Sequence, residues 1–190
     1  MTVHHTAALN VTGLGELDRR RAWLLLGLGG ALALAGCGSA PRRWATVGPT
    51  ETPLNLDPAG REASVAQAML LVNTPYRYGG NTPRGGFDCS GLVCYVFSQV
   101  TKDDARVTRR LPRSTAQWAA ATVPVDEAAL QRGDLVFFNT TGAQFSHMGI
   151  YVGEGQFVHA PSSGGTVRKE AVTSRYFGPR YQGGRRVFAA

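Results

Sequence analysis

The stretch Phe87-Asp88-Cys89-Ser90-Gly91-Leu92-Val93 sets a cysteine where a glycine-rich loop gives way to an apolar run ending at Val100. The preceding loop, Tyr76-Arg77-Tyr78-Gly79-Gly80-Asn81-Thr82-Pro83-Arg84-Gly85-Gly86, is punctuated by too much glycine for a regular element. The apolar run predicts a helix beginning near Cys89. A thiol reacts as thiolate, and a helix N-terminus or an adjacent histidine lowers its pKa, so Cys89 is expected to be an activated nucleophile. Gly91 leaves space beside the sulfur. Cys94 sits among Val93, Tyr95, Val96 and Phe97 and reads as a buried small hydrophobe.

Upstream, Val65, Met69 and Val72 fall on one stripe at helical spacing, so a first helix is expected over Arg61 to Val72, ended by Asn73 and Pro75. Downstream, Ser114 to Ala121 predicts a short helix capped by Ser114 or Thr115. After Val123 the pattern turns to strands. Arg132-Gly133-Asp134 reads as a turn before Leu135 to Phe138, and Met148 to Val152 is joined through Gly153-Glu154-Gly155 to Gln156 to His159 as a hairpin. Thr166 to Ala171 and Arg185 to Phe188 are expected to close the sheet. Helices first and antiparallel strands afterwards make an α+β domain from Arg61 to Ala190.

Of the histidines, His4 and His5 belong to a segment expected to be removed, which leaves His147 and His159 as candidate bases. One begins a predicted strand and the other ends the next, so a short hairpin brings both imidazoles to the same end of the sheet. In that arrangement His147 takes the thiol proton and His159 orients its ring.

A length of 190 residues leaves room for one globular domain, and a 43% hydrophobic fraction with 24 glycines describes a folded, turn-rich chain. A formal charge of +7 favours anionic surfaces, but the arginines form no periodic face with interleaved aromatics, so nucleic acid is not an expected partner. Three cysteines give no disulfide framework, and no Cys-x-x-Cys or His-x-x-x-His pair offers a zinc site, so neither metal nor cofactor is expected.

Arg19-Arg20-Arg21 followed by the apolar run Ala22 to Ala35 reads as an export signal, too short and glycine-rich for a permanent membrane span. Leu34-Ala35-Gly36-Cys37 resembles a bacterial lipobox. Residues 1–36 are then a removed signal peptide and Cys37 a lipidated anchor, with several acyl chains giving durable attachment to a membrane. Arg20-Arg21 loosely resembles a twin-arginine export motif, which leaves the export route open. The absence of aspartate at Gly38 favours the outer membrane, facing the periplasm, in a Gram-negative envelope. Residues 37–60, with Pro41, Pro49, Pro53 and Pro58 and no apolar periodicity, read as a flexible tether.

Six segments then fall in one order: Pro75 to Gly80, Phe87 to Val93, Leu111-Pro112-Arg113-Ser114, Gly133 to Phe138, Ser146 to Gly153 and Phe157-Val158-His159-Ala160. In that order and register the chain resembles the NlpC/P60 peptidases. The resemblance implies a papain-like fold, with N-terminal helices packed on an antiparallel sheet, and a Cys89, His147, His159 triad. It implies an oxyanion site made by the Cys89 backbone N–H and the Tyr76 hydroxyl, with Tyr78 packed. Asp88 and Ser90 resemble substrate-groove positions, although Ser90 also suits a helix cap and Asp88 a helix dipole, and Arg113 and Ser114 resemble a further groove position. The implied substrate is the peptidoglycan stem peptide, cut between γ-D-glutamyl and the following diamino acid through a thioester, by a monomer. Two alternatives use the same residues or none: an amidase or acyltransferase on this fold, and a non-catalytic wall-binding lipoprotein.

Overall fold

The first helix of the computed structural model, which describes residues 52–163 and 165–189, is α1 (Gly60–Leu70). Its buried line is Val65, Ala68 and Leu71, while Met69 of the expected stripe is 42% exposed. The small, fully buried Ala68 lets α1 lie close against the next long helix, so the inward stripe turns through it and not through Met69. Asn73 closes the segment at φ 75, a left-handed conformation asparagine tolerates. A two-residue ladder, β1 (Asn81–Thr82) with β2 (Gly86–Phe87), then folds the glycine-rich loop back on itself.

The apolar run becomes α2 (Cys89–Val100), beginning at the cysteine as expected. It is followed by α3 (Ala105–Arg110), α4 (Thr115–Ala120) and β3 (Val123–Val125). Helix α3 buries no residue, so it left no apolar periodicity to read. Its signal is Asp104, whose carboxylate accepts from the backbone N–H of Arg106 and Val107. Ser114 caps α4 in a capping box with Gln117.

The sheet continues with β4 (Leu135–Phe138), β5 (His147–Gly153), β6 (Gln156–His159), β7 (Arg168–Ala171) and β8 (Tyr181–Arg186), in the spatial order β3-β8-β4-β5-β6-β7, antiparallel throughout. One face carries Leu135, Phe137, Met148 and Ile150 against α1 and α2, and the other carries Val136, Phe138 and Phe157 under Phe177. Covering on both faces explains why β4 reads as an unbroken apolar run. Strand β3 holds Pro124 and lies at the sheet edge, where a missing N–H does no damage.

Three expected boundaries move. The closing strand is Tyr181–Arg186 and not Arg185 to Phe188, because Gly183 and Gly184 hide the alternation of the strand that leads into the arginines. Thr166 leaves the expected strand and bridges to Pro75, so β7 starts at Arg168. The domain also begins before Arg61. Leu54 and Leu56 are buried, and the N–H groups of Leu54 and Leu56 donate to the carbonyls of Ala121 and Val187 at 2.8 and 2.9 Å. The alternation of Leu54 and Leu56 is the sign of it in the sequence. Cys37, the leader and the tether through residue 51 lie outside the described residues.

Asp134, fully buried at the start of β4, accepts from Arg61 of α1 at 3.2 Å and from Arg186 of β8 at 2.8 Å. One carboxylate therefore fastens the first helix and the last strand to the centre of the sheet. Among the described residues no helix is long and apolar enough to cross a membrane, and no cluster of potential metal ligands is found.

Candidate active site

Cys89 opens α2 because Asp88 is its N-cap, extended at φ −91 and ψ 177. The Asp88 Oδ1 accepts from Gly91 N–H at 2.6 Å and from the Ser90 hydroxyl at 3.1 Å, while Oδ2 accepts from Gly79 N–H at 3.0 Å. Asp88, not Ser90, is the cap. The Gly80 carbonyl in turn accepts from Asp88 N–H at 3.0 Å. A Cβ on Gly91 would be driven into that same carbonyl, so glycine here sets how closely the loop approaches the helix start.

Helix α2 packs on β5, whose first residue is His147. The backbone N–H groups of Met148, Ser90 and Cys89 face the sulfur and draw its pKa downward. His147 Nε2 lies 2.9 Å from His159 Nδ1, with the rings at 87° to one another. The β5–β6 hairpin supplies this contact, as the positions of the two residues predicted. Phe177 stacks on His147 at 5.7 Å between ring centres, a neighbour that no motif announced. Both histidines are buried.

Burial decides the charge state of the group. It pushes the half-buried Cys89 thiol up to about 11, with the Asp88 carboxylate adding to the rise, against the pull of the backbone N–H groups. Burial also pulls His147 down to about 3, helped by His159 and Arg168, and pulls His159 down to about 3, helped by Arg168. The expected depression of the thiol pKa is therefore corrected: in the unliganded site desolvation outweighs the helix terminus, and thiol and imidazoles rest neutral.

Tyr76 is held beside the nucleophile by main-chain bonds. Its N–H donates to Gly165 O at 2.8 Å, and its neighbour Arg77 donates to Phe87 O at 2.9 Å. The phenol pKa is raised, by burial first and then by Cys89, Asp88 and Tyr78, which sets its hydroxyl within electrostatic range of the sulfur. Tyr78, expected to pack, is instead 90% exposed, because the turn at Gly79 points the segment outward. Ser114 spends its hydroxyl on Gln117 N–H. Arg113 is exposed and its charge is felt at Cys94, further along α2 than the nucleophile. The structure thus gathers Cys89, Tyr76, Asp88 and Ser90 at one helix start and His147 with His159 at the adjoining strand. Arg113 and Ser114 lie at the start of α4. A cleft of about 180 Å³ opens against His147, lined also by Thr140, Ser162, Arg168, Glu170 and Tyr176. Glu170 lies 3.5 Å from His159, and sequence reasoning missed it because it sits in a short alternating strand like any solvated carboxylate.

The model of the NlpC/P60 family matches residues 73–186, more than half of the chain. Murein DD-endopeptidase MepH of Escherichia coli is 36% identical over 66% of this chain and 45% of its own length. Probable endopeptidase NlpC of the same organism is 43% identical over 64% of this chain and 74% of its own length. A crystal structure from Staphylococcus aureus, described as similar to lipoprotein, NLP/P60 family, superposes with a TM-score of 0.60 at 29% identity, covering 74% of this chain and 46% of that one. The chain spans about half the length of MepH. With the helix-start cysteine and the paired histidines in the matched region, this chain belongs to the NlpC/P60 family.

Proposed function

We propose that the chain is a peptidoglycan hydrolase, a cysteine endopeptidase acting on stem peptides. His147 takes the Cys89 proton as the sulfur attacks the scissile carbonyl, which converts two neutral groups into an imidazolium and a covalent tetrahedral adduct. The Cys89 N–H and the Tyr76 hydroxyl donate to the developing oxyanion. The imidazolium returns its proton to the leaving amine, leaving a thioester at Cys89. A water molecule, deprotonated by the same imidazole, hydrolyses that ester. Asp88 and Ser90 hold the floor of the groove, and Arg113 and Ser114 offer contacts at its far edge.

The observation that carries this reading is the 2.9 Å contact between His147 and His159 beside a thiol that opens a helix, within a domain of this family. The bond between γ-D-glutamyl and the diamino acid is the proposed target, while the name of MepH points to a D,D bond in a relative. Incubating the full-length chain with purified peptidoglycan and weighing the fragments distinguishes the two. Shortened stems support an endopeptidase, stems released whole from the sugar support an amidase, and cleavage undiminished by Cys89→Ala discards the nucleophile.

The proposed site of action is the cell envelope, with the domain tethered through diacylglycerol on Cys37 to the outer membrane of a Gram-negative cell. Incorporation of labelled palmitate that Cys37→Ala abolishes supports it. Unchanged labelling of that variant rejects it.

A further inference from the structure

His159 Nε2 is buried and makes no hydrogen bond within ordinary limits, and the Oε2 of Glu170 lies 3.5 Å from it. We propose that Glu170 is a positioning residue whose carboxylate keeps the His159 proton on Nε2, and so keeps the His147 proton on Nε2 as well. This leaves His147 Nδ1 free to take the thiol proton. The inference rests on the assignment of Cys89 and His147 just proposed.

The argument is one of tautomers. Two neutral imidazoles share one N···N contact of 2.9 Å, and only one proton fits between them. In the first arrangement His147 donates from Nε2 to His159 Nδ1, and the His159 proton sits on Nε2. In the second, His159 donates from Nδ1, and the His147 proton is forced onto Nδ1, which leaves that nitrogen without a lone pair to receive the thiol proton. Only the first arrangement is a base. A carboxylate facing His159 Nε2 selects it, because N–H toward carboxylate is a charge-assisted hydrogen bond whereas a lone pair toward carboxylate is repulsive.

The surroundings suit this role. Both rings rest neutral because burial holds them down to about 3, so tautomer choice and not protonation is what remains to be fixed. Glu170 lies on β7 two residues beyond Arg168, the direct cross-strand partner of His159, and so diagonal to it on the same face. Arg168 Nε is 3.2 Å from the same Oε2 and braces it from the exposed side. With its side chain 25% exposed, Glu170 has room to close the remaining gap, and such bonds commonly tighten only when substrate is bound.

The test uses the full-length chain with Glu170→Ala and Glu170→Gln, and Cys89→Ala as the inactive control. Stem-peptide cleavage is expected to lose kcat roughly ten- to a hundred-fold in Glu170→Ala, with KM changed less than about two-fold, as for other groups that orient an imidazole. Glu170→Gln, which keeps an acceptor and the volume, is expected to fall between. Ring-nitrogen NMR of His147 and His159 is expected to report Nε2–H in the native chain and a shift toward Nδ1–H in Glu170→Ala. Native-like kcat in Glu170→Ala beside a dead Cys89→Ala overturns the proposal and spares the hydrolase reading. Stem peptides left intact by the native chain overturn the hydrolase reading, and the ring-nitrogen spectra then decide the role of Glu170 alone. If Glu170→Ala does not fold, Glu170→Leu, which keeps bulk without an acceptor, replaces it: unchanged ring-nitrogen spectra overturn the proposal and spectra shifted toward Nδ1–H support it.

Discussion

His159 approaches His147 edge-on, its Nδ1 2.9 Å from Nε2 and the two ring planes at 87°. That geometry fixes one imidazole by another, so either ring lost should be felt at the sulfur. For His147→Ala, stem-peptide hydrolysis is expected to fall to the level of Cys89→Ala. For His159→Ala, kcat is expected to drop about a hundred-fold or more, with His159→Asn retaining part of the difference because an amide oxygen still accepts a hydrogen bond from the His147 ring. Steady-state kinetics on purified fragments check both.

The same burial makes stability depend on pH in a dome. A buried imidazole with its folded pKa near 3 stays neutral while the unfolded chain takes up a proton below the ordinary histidine value of 6.5. The unfolded state then binds more protons, so stability is complete above about 6.5 and is lost as pH falls toward 3, at up to ~1.4 kcal/mol per pH unit for each histidine. Cys89 has the opposite sign: raised to about 11 from 9.0, it keeps its proton while the unfolded thiol loses one, so stability declines as pH rises through that window. Denaturant midpoints across pH should show the plateau between. In His147→Phe with His159→Phe, the acid limb should flatten.

Asp88 has two effects that one pair of variants separates. Asp88→Ala removes the cap of α2 and should cost about 1–2 kcal/mol. Asp88→Asn keeps an acceptor but removes the charge that raises the thiol pKa, so alkylation of Cys89 should begin at lower pH than in the native chain. Rates of iodoacetamide labelling across pH read the second effect without reference to catalysis.

Gly91→Ala should destabilise the domain by about 1–3 kcal/mol, because the added carbon meets backbone that cannot swing away. Thermal unfolding measures it, and the loop from Arg77 to Gly80 should become the first segment to exchange its amide protons.

Much of this molecule could be read before its structure was known, and the reasons are local. Helix α2 and strands β4 to β6 carry strong apolar patterns bounded by glycine, and the two histidines bracket a hairpin of fixed register. The legible parts end where pattern gives way to environment. Nothing in the residue string reports how deeply Cys89 is desolvated, so its neighbours alone point to the opposite direction of its pKa shift. Glu170 becomes informative only when β7 is laid beside β6. Met69 falls on the helical stripe and the resemblance has Tyr78 packed, yet the close approach at Ala68 and the turn at Gly79 leave both facing water.

The main-chain joints of Leu54 and Leu56 also have a mechanical meaning. Leu56 pairs beside Phe188, and Ala189 N–H donates to Leu56 O at 2.8 Å, so the strand end that follows β8 clasps the entry of the chain. A pull applied at Thr52 would meet this clasp and the Ala121 carbonyl before α1. Entry and exit of the domain are thereby fastened to one another, and fraying at either end is resisted by the other.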